Sequence, residues 1–169
     1  MSKKVFVTVG TTSFDPLLQA ATSSNVLEFF KENGYSGLVL QKGRGDFELE
    51  SSTYKNINIE CYNYKDSIAD DISSAHLVLS HAGAGSILET LSFRKSLIVV
   101  VNEDLMDNHQ YELASKMADE GYLYYCSGAS ALLNTLKTVD LNKLKQKPIV
   151  DKRVFREYVD RFVGFEKNS

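Results

Sequence analysis

Short apolar runs that alternate with helix-like segments constrain the fold of this chain more than any other feature. Several runs are apolar on both faces, which is typical of parallel strands covered on both sides. The predicted strands are residues 4–9, 37–41, 57–61, 76–80, 97–101 and 122–126. The predicted helices are residues 15–31, 65–74, 85–94, 108–120 and 130–138. This alternation predicts right-handed strand–helix–strand units in an open parallel sheet of the α/β class.

Chain length and local patterns indicate the domain organisation. The 169 residues suffice for one domain with a hydrophobic core and are too few for two. We expect this domain to span residues 1–147, with Asp15 capping its first helix ahead of Pro16. No element is predicted for the polar residues 42–55. Residues 148–169 are expected to form an amphipathic helix, packed on the domain or on a partner, with an apolar stripe of Val154, Tyr158, Phe162 and Phe165.

The composition is that of a mildly acidic globular protein, with 43% apolar residues and a net charge of −3. No basic stripe interleaved with aromatic residues is present, which argues against nucleic-acid binding. No run reaches 18 apolar residues, so the sequence predicts neither a membrane span nor a signal peptide, and we expect a cytoplasmic location. Cys61 and Cys126 lack the spacing of a metal or redox site.

The turn at residues 81–86 is the most informative local motif. It follows the buried-strand pattern of residues 76–79 and opens a segment with apolar residues at helical spacing. Gly83 and Gly85 would let the backbone approach a ligand, and the first helix amides, with the Ser86 hydroxyl, favour phosphate. The same glycines are also typical of tight packing. The motif is neither the dinucleotide fingerprint, because no third glycine follows, nor a Gly-Lys-Ser/Thr phosphate loop.

Two other loops follow predicted strands at their carboxyl ends, where open α/β sheets bind ligands. Gly10 offers a second close backbone approach after the first strand, and Thr11 and Thr12 add uncharged hydroxyl donors. The loop of residues 62–65 follows the third predicted strand. We therefore expect both loops to lie near the turn at residues 81–86.

The loop of residues 102–110 is rich in carboxylates and amides. Such groups form paired hydrogen bonds with vicinal diols, so the loop favours recognition of a sugar or ribose. It is also typical of a solvated loop in which Asp107 or Asn108 caps the next helix. A capping role is compatible with sugar binding by Gln110.

Three ordered motifs resemble those of a known family. They are Ser-His-Ala-Gly-Ala-Gly-Ser-Ile-Leu-Glu at residues 80–89, Leu-Ile-Val-Val-Val-Asn at 97–102 and Asp-Asn-His-Gln at 107–110. With the opening Val-Thr-Val-Gly-Thr-Thr, they resemble the donor-binding domain of family 28 glycosyltransferases over essentially the whole chain. The resemblance implies a Rossmann-like domain that forms the donor-binding half of a GT-B glycosyltransferase. Ser96 and Asn102 stand where many members have proline, a departure expected to affect loop geometry more than chemistry.

Within this family the chain is most similar to cytosolic subunits of two-component enzymes, whose acceptor-binding half is a separate membrane-anchored protein. The resemblance implies transfer of N-acetylglucosamine from UDP-N-acetylglucosamine to the lipid-linked acceptor N-acetylglucosaminyl-diphosphodolichol. That reaction is the second step of dolichol-linked oligosaccharide synthesis for N-glycosylation. The resemblance further implies a heterodimer at the cytosolic face of the endoplasmic reticulum, activity only with the partner subunit, and no cofactor.

The same resemblance assigns roles to individual residues. It implies that the glycine-rich turn holds the diphosphate, that Glu89 bonds the ribose hydroxyls, and that the backbone at residues 64–65 reads uracil. It also implies that residues 108–110 hold the sugar and that residues 10–12 face the cleft between the two halves. The UDP-sugar-binding residues implied in this way are Gly10, Thr11, Thr12, Tyr64, Lys65, Gly83, Ala84, Gly85, Ser86, Glu89, Asn108 and Gln110, with His109 beside them.

The implied reaction is an inverting displacement, in which an acceptor hydroxyl attacks the anomeric carbon and UDP leaves. The amides of Gly85 and Ser86 and the helix dipole would stabilise the charge that develops on the diphosphate. The catalytic base is left open between His81, His109 and a group of the partner. No Asp-x-Asp pair stands where a metal-dependent sugar transferase needs it, so we expect no metal ligands.

Three other functions are compatible with part of this pattern. A UDP-sugar epimerase shares the two-half architecture but normally carries both halves in one chain, which 169 residues cannot hold. A nucleotide-sugar-binding module without catalysis would carry the same turn. An NAD-binding domain is disfavoured, because Gln41-Lys42 stands where an acidic residue should end the second strand.

Overall fold

The computed structural model describes residues 2–102 and 108–145, without the side chains of residues 108–110. The strands are β1 (Lys3–Thr8), β2 (Tyr35–Gln41), β3 (Thr53–Tyr54), β4 (Ile57–Tyr62), β5 (Leu77–His81), β6 (Ser96–Val100) and β7 (Tyr124–Cys126). The α-helices are α1 (Asp15–Ala21), α2 (Ser24–Glu32), α3 (Ala69–Ser74), α4 (Ala84–Ser92), α5 (Asn108–Asp119) and α6 (Leu132–Thr138). Short 3₁₀ helices span Ala129–Ala131 and Leu141–Lys143.

Among these residues, seven strands form one sheet in the order β3-β4-β2-β1-β5-β6-β7. Every neighbouring pair is parallel except β3 and β4, which are antiparallel. The prediction of an open parallel α/β sheet is therefore confirmed, as are the six predicted strands, with ends shifted by one or two residues. β3 lies in the segment 42–55, for which the sequence predicts no element.

Helices cover both faces of the sheet. Along β1, Val5 and Val7 pack in one core with α1, α2 and α6, whereas Phe6 packs in a second core with α3, α4 and α5. These three strand residues are at most 1% exposed, because successive strand side chains point to opposite faces and both faces are covered. Burial on both sides explains why the strands read as continuous apolar runs.

The structure corrects two predictions at the first helix. Residues 15–31 form two helices rather than one, because Thr22 and Ser23 interrupt them: their hydroxyls donate to the carbonyls of Leu18 and Ala20, both at 2.8 Å. Side-chain bonds of this kind compete with the regular helix pattern. The N-cap is Phe14 and not Asp15, which is the first helical residue. The Asp15 carboxylate instead accepts the amide of Asp46 at 3.0 Å.

The order of the strands places a crevice at the centre of the sheet. β1 pairs with β2 on one side and with β5 on the other. The chain leaves β1 toward one face and β5 toward the opposite face, so the loops after these strands diverge. This topological switch point is where open α/β sheets bind ligands. No described helix is both long and apolar enough to cross a membrane.

Candidate functional site

The amino terminus of α4 lies at this crevice with its first amides unused by the helix. α4 begins at Ala84, and its N-cap, Gly83, offers no side-chain cap. The first amide of this turn to reach a backbone carbonyl is that of Ile87, which donates to Gly83 at 3.1 Å. The amides of Ala84, Gly85 and Ser86 therefore have no intrahelical acceptor. Together with the positive end of the helix dipole, they form a site suited to an anion such as a diphosphate.

The two glycines of this turn differ in their surroundings. A Cβ atom built on Gly85 would meet no described heavy atom within 4 Å outside its own part of the helix. A Cβ atom built on Gly83 would lie 2.3 Å from Cε1 of His81. Both glycines are predicted from the sequence to let the backbone approach a ligand. In the structure the open space is at Gly85, and the space at Gly83 is filled by the His81 ring.

Glu89 lies one helical turn beyond Gly85, on the same side of α4. Residues four apart on a helix are neighbours, roughly 5–6 Å between Cβ positions. Gly85 is exposed and Glu89 is half-buried, while Ile87 and Leu91 point into the core. No described side chain donates a hydrogen bond to the Glu89 carboxylate. A diol held beside the turn would thus find this carboxylate within reach.

His81 ends β5 with its ring between two backbone segments. A Cβ atom on Gly10 would lie 2.8 Å from Nε2 of this ring, which therefore contacts the loop after β1 as well as the turn. Burial lowers the pKa of His81 to about 4, so the ring is uncharged at neutral pH. At pH 7 such a group accepts a proton about a thousandfold less readily than a base with a pKa near 7. His81 is therefore a weak general base in this environment.

The loop after β1 is fixed by buried polar groups. Gly10 has a φ of +64° and donates its amide to Thr8 Oγ1 at 3.1 Å. The Thr8 hydroxyl donates to Gln41 Oε1, and both side chains are at most 2% exposed. The Thr12 hydroxyl donates to the carbonyl of Val9 at 2.9 Å, whereas Thr11 is exposed. Gln41 is therefore engaged inside the protein at the position where a dinucleotide-binding domain needs an acidic ribose ligand.

A turn from the polar segment 42–55 supports the same loop from the other side. The amide of Arg44 donates to the carbonyl of Thr12 at 3.0 Å. The amides of Lys42 and Gly43 donate to the carbonyls of Tyr62 and Asn63, both at 2.9 Å. This turn thus joins the end of β4 to the loop after β1. The bond between Thr8 and Gln41 and the contacts of this turn were not predicted, because they depend on the order of the strands in the sheet.

The loop after β4 presents Tyr64 and holds the Lys65 side chain. Tyr64 is 57% exposed. Nζ of Lys65 lies 3.1 Å from Oδ2 of Asp71 and 4.2 Å from the centre of the Tyr62 ring. The Tyr62 hydroxyl donates to the same Asp71 oxygen at 2.5 Å, and burial, with that bond, raises the pKa of Tyr62 well above its ordinary range. Because the Lys65 ammonium is paired internally, the backbone and Tyr64 are the groups left for a ligand.

The structure describes only the backbone of three predicted site residues. α5 begins at Asn108, but the side chains of Asn108, His109 and Gln110 are outside the described residues, as are residues 103–107. The predicted helix at 148–169 and its apolar stripe are outside them too. Within the described part of the chain, no group of three or more His, Cys, Asp or Glu side chains could hold a metal ion.

A cavity of about 660 Å³ lies apart from this crevice. It is formed by α1, the start of α2 and residues 46–54, and four carboxylates line it: Asp15, Asp46, Glu48 and Glu50. None of the predicted site residues lines it.

Comparison with known proteins identifies relatives of the chain. Residues 4–161 match the model of the glycosyltransferase family 28 C-terminal domain. The human UDP-N-acetylglucosamine transferase subunit ALG13 is 50% identical over 125 residues, which are 74% of this chain and 11% of that protein. The protein of the same name from Yarrowia lipolytica is 31% identical over 163 residues, covering 94% of this chain and 83% of the relative. The chain thus spans about a tenth of the human relative and most of the yeast one.

Solved structures give the same result for the fold. A solution structure of ALG13 has a TM-score of 0.71 at 26% identity and covers 94% of this chain and 95% of its own. The crystal structure of Acinetobacter baumannii MurG has a TM-score of 0.64 at 18% identity. That match covers 98% of this chain but only 46% of MurG. The predicted likeness to one half of a GT-B glycosyltransferase is therefore confirmed at the level of the fold.

Proposed function

Because the chain belongs to the glycosyltransferase family 28 C-terminal domain family, we propose that its crevice binds UDP-N-acetylglucosamine as a glycosyl donor. The observation that carries the proposal is the amino terminus of α4. Its first amides have no intrahelical acceptor, and a Cβ atom at Gly85 would meet no described atom within 4 Å outside its own part of the helix. The relatives named as UDP-N-acetylglucosamine transferase subunits support the choice of this donor.

The donor lies across the end of the sheet in this proposal. The diphosphate accepts from the amides of Ala84, Gly85 and Ser86, and the ribose hydroxyls bond the Glu89 carboxylate one turn along. Uracil lies over the loop after β4, where the backbone at Tyr64 and Lys65 reads its imide edge. The loop of Gly10, Thr11 and Thr12 faces the second half of the site, and Asn108, His109 and Gln110 hold the sugar hydroxyls.

The reaction is an inverting transfer in this proposal. The oxygen of an acceptor hydroxyl forms a bond to the anomeric carbon, and the bond from that carbon to the diphosphate oxygen breaks. UDP leaves with the electron pair, and the turn amides stabilise the new charge where it develops. The hydroxyl proton passes to a base. We assign that base outside the described side chains, to His109 or to a partner, because the pKa of His81 is about 4.

A second subunit completes the enzyme in this proposal. The fold of this chain corresponds to less than half of MurG, and the relatives are named as subunits. We propose that a membrane-anchored partner binds the lipid-linked acceptor, N-acetylglucosaminyl-diphosphodolichol, at the cytosolic face of the endoplasmic reticulum. The product would then enter dolichol-linked oligosaccharide synthesis for N-glycosylation. The amphipathic residues 148–169 are proposed to dock on this partner.

Donor binding and transfer are tested separately. Calorimetry with UDP, UDP-N-acetylglucosamine, UDP-glucose and GDP should give the tightest binding for UDP-N-acetylglucosamine and none for GDP. UDP release should then need both a lipid-diphosphate-N-acetylglucosamine acceptor and membranes that contain the partner. Binding without UDP release under any of these conditions would indicate a non-catalytic binding module. Conversion of the UDP-sugar without an acceptor would indicate an epimerase.

The docking proposal has its own test. Phe162→Asp in the full chain should abolish co-sedimentation with membranes that carry the partner and leave UDP binding unchanged. Glu157→Ala, off the apolar stripe, is the matched control and should co-sediment like the natural chain. Unchanged co-sedimentation of the Phe162 variant would contradict the proposal.

A further inference from the structure

We propose that His81 is a positioning residue whose ring sets the distance between the loop after β1 and the α4 turn, and so shapes the diphosphate site. The inference deepens the proposed function and rests on it. It gives His81 a role other than the catalytic base. It also explains why residues 10 and 83 are glycines, because a Cβ atom at either position would lie too close to the His81 ring.

The geometry places one ring against two glycines. A Cβ atom at Gly83 would lie 2.3 Å from Cε1 and 2.6 Å from Nε2 of His81. A Cβ atom at Gly10 would lie 2.8 Å from the same Nε2 and 3.4 Å from Cε1. The same edge of the imidazole thus contacts both backbone segments. Any larger residue at either glycine must displace the ring or separate the segments, because real Cβ atoms do not approach a ring so closely.

Both segments are held firmly behind the ring. Gly10 has left-handed backbone, a conformation that disfavours other residues, and its amide is bonded to buried Thr8. The carbonyl of Gly83 accepts the amide of Ile87 in the first turn of α4. Because the ring lies against Gly83, we expect a side chain of another size at position 81 to change the position of the start of α4, including the amides of Ala84 and Gly85. This is how a residue without an assigned ligand contact can act on ligand binding.

The His81 ring acts on the site through its packing and not through a charge. Burial lowers the pKa of His81 to about 4, so at neutral pH the ring adds no positive charge to the site. The ring lies against the backbone of Gly10 and Gly83, which does not titrate. The size of the ring, and not its charge, is then the property on which the site depends.

A double-mutant cycle in the full chain tests the proposal. The variants are His81→Ala, Gly83→Ala and the pair, each measured by urea unfolding and by calorimetry with UDP. Gly83→Ala should weaken UDP binding at least tenfold. The pair should bind UDP at least fivefold more tightly than Gly83→Ala alone, because the smaller residue at 81 makes room for the new methyl group. Gly85→Ala is the matched control in unfolding: it lies in the same turn, and its effect should add to that of His81→Ala.

The outcomes separate the possible failures. Independent effects of the His81 and Gly83 changes on UDP binding would overturn the proposal. So would changes in unfolding alone, with UDP affinity of the folded variants unaltered, since the ring would then only pack. If Gly83→Ala does not fold, UDP binding by folded His81→Ala decides: weaker binding than that of the natural chain supports the proposal, and unaltered affinity overturns it. If the natural chain binds no UDP, the proposed function fails. Non-additive effects of the His81 and Gly83 changes on the free energy of unfolding would then still decide whether the His81 ring sets the position of the α4 turn.

Discussion

Lowering the pH from 7 to 5 should weaken the folded state by about 2 kcal/mol through His81 alone. Burial lowers the pKa of His81 from an ordinary value of 6.5 to about 4 in the folded chain. Between these values the unfolded chain binds the proton and the folded chain does not, so stability rises with pH. The contribution is complete above pH 6.5 and is lost as the pH falls toward 4. The whole span corresponds to about 3 kcal/mol, of which about 2 lie between pH 7 and pH 5.

Urea unfolding at pH 7, 6 and 5 measures this contribution. Other groups also titrate, so the quantity to compare is the loss of unfolding free energy in the natural chain and in His81→Gln. The natural chain should lose about 2 kcal/mol more than this variant between pH 7 and pH 5. Equal losses in the two proteins would refute the burial argument for His81.

Three further predictions concern the proposed donor site. Glu89→Ala should weaken UDP binding by about 1.5–3 kcal/mol, because a charge-assisted hydrogen bond is lost. Calorimetry measures this, with Glu112→Ala, a change at an exposed carboxylate on α5, as the control. A change in UDP affinity within about twofold would count against a ribose contact. Asp71→Asn should reduce UDP affinity severalfold and stability by about 1 kcal/mol, because it loosens two side chains of the 62–65 loop; the exposed Asp70→Asn should do neither. Gln110→Ala should depress sugar transfer more than UDP binding, since UDP lacks the sugar; equal losses would indicate a capping role.

The fold was predictable because a strand that is buried on both faces appears in the sequence as a run of apolar residues. The strand β6 is apolar at four of its five positions, which few other structures require. The break at Thr22–Ser23 left a signal that the prediction did not use. On one continuous helix the buried residues of α1 and those of α2 would lie on opposite sides, so the hydrophobic pattern changes phase between them. β3 has two residues, too few for a pattern, and depends on pairing with β4.

The site was predictable only in part. The α4 turn is a local motif, so its small residues and the following helix could be read directly. The contact of His81 with Gly10 joins residues 71 positions apart, and it exists only because β1 and β5 are neighbours in the sheet. For the same reason the bond between Thr8 and Gln41 could not be inferred before the strand order was known. Spacing alone cannot distinguish a glycine that admits a ligand from one that admits a side chain.

The most direct test of the donor site is Gly85→Ala, measured by thermal unfolding and by calorimetry with UDP-N-acetylglucosamine. A methyl group at this position meets no described heavy atom within 4 Å outside its own part of the helix, and alanine favours helix over glycine. Stability should therefore be unchanged or higher by up to about 1 kcal/mol. Binding should weaken at least tenfold, or by about 1.4 kcal/mol, because the methyl group occupies the space assigned to the diphosphate. Unchanged donor affinity in this stable variant would contradict the placement of the diphosphate at the amino terminus of α4.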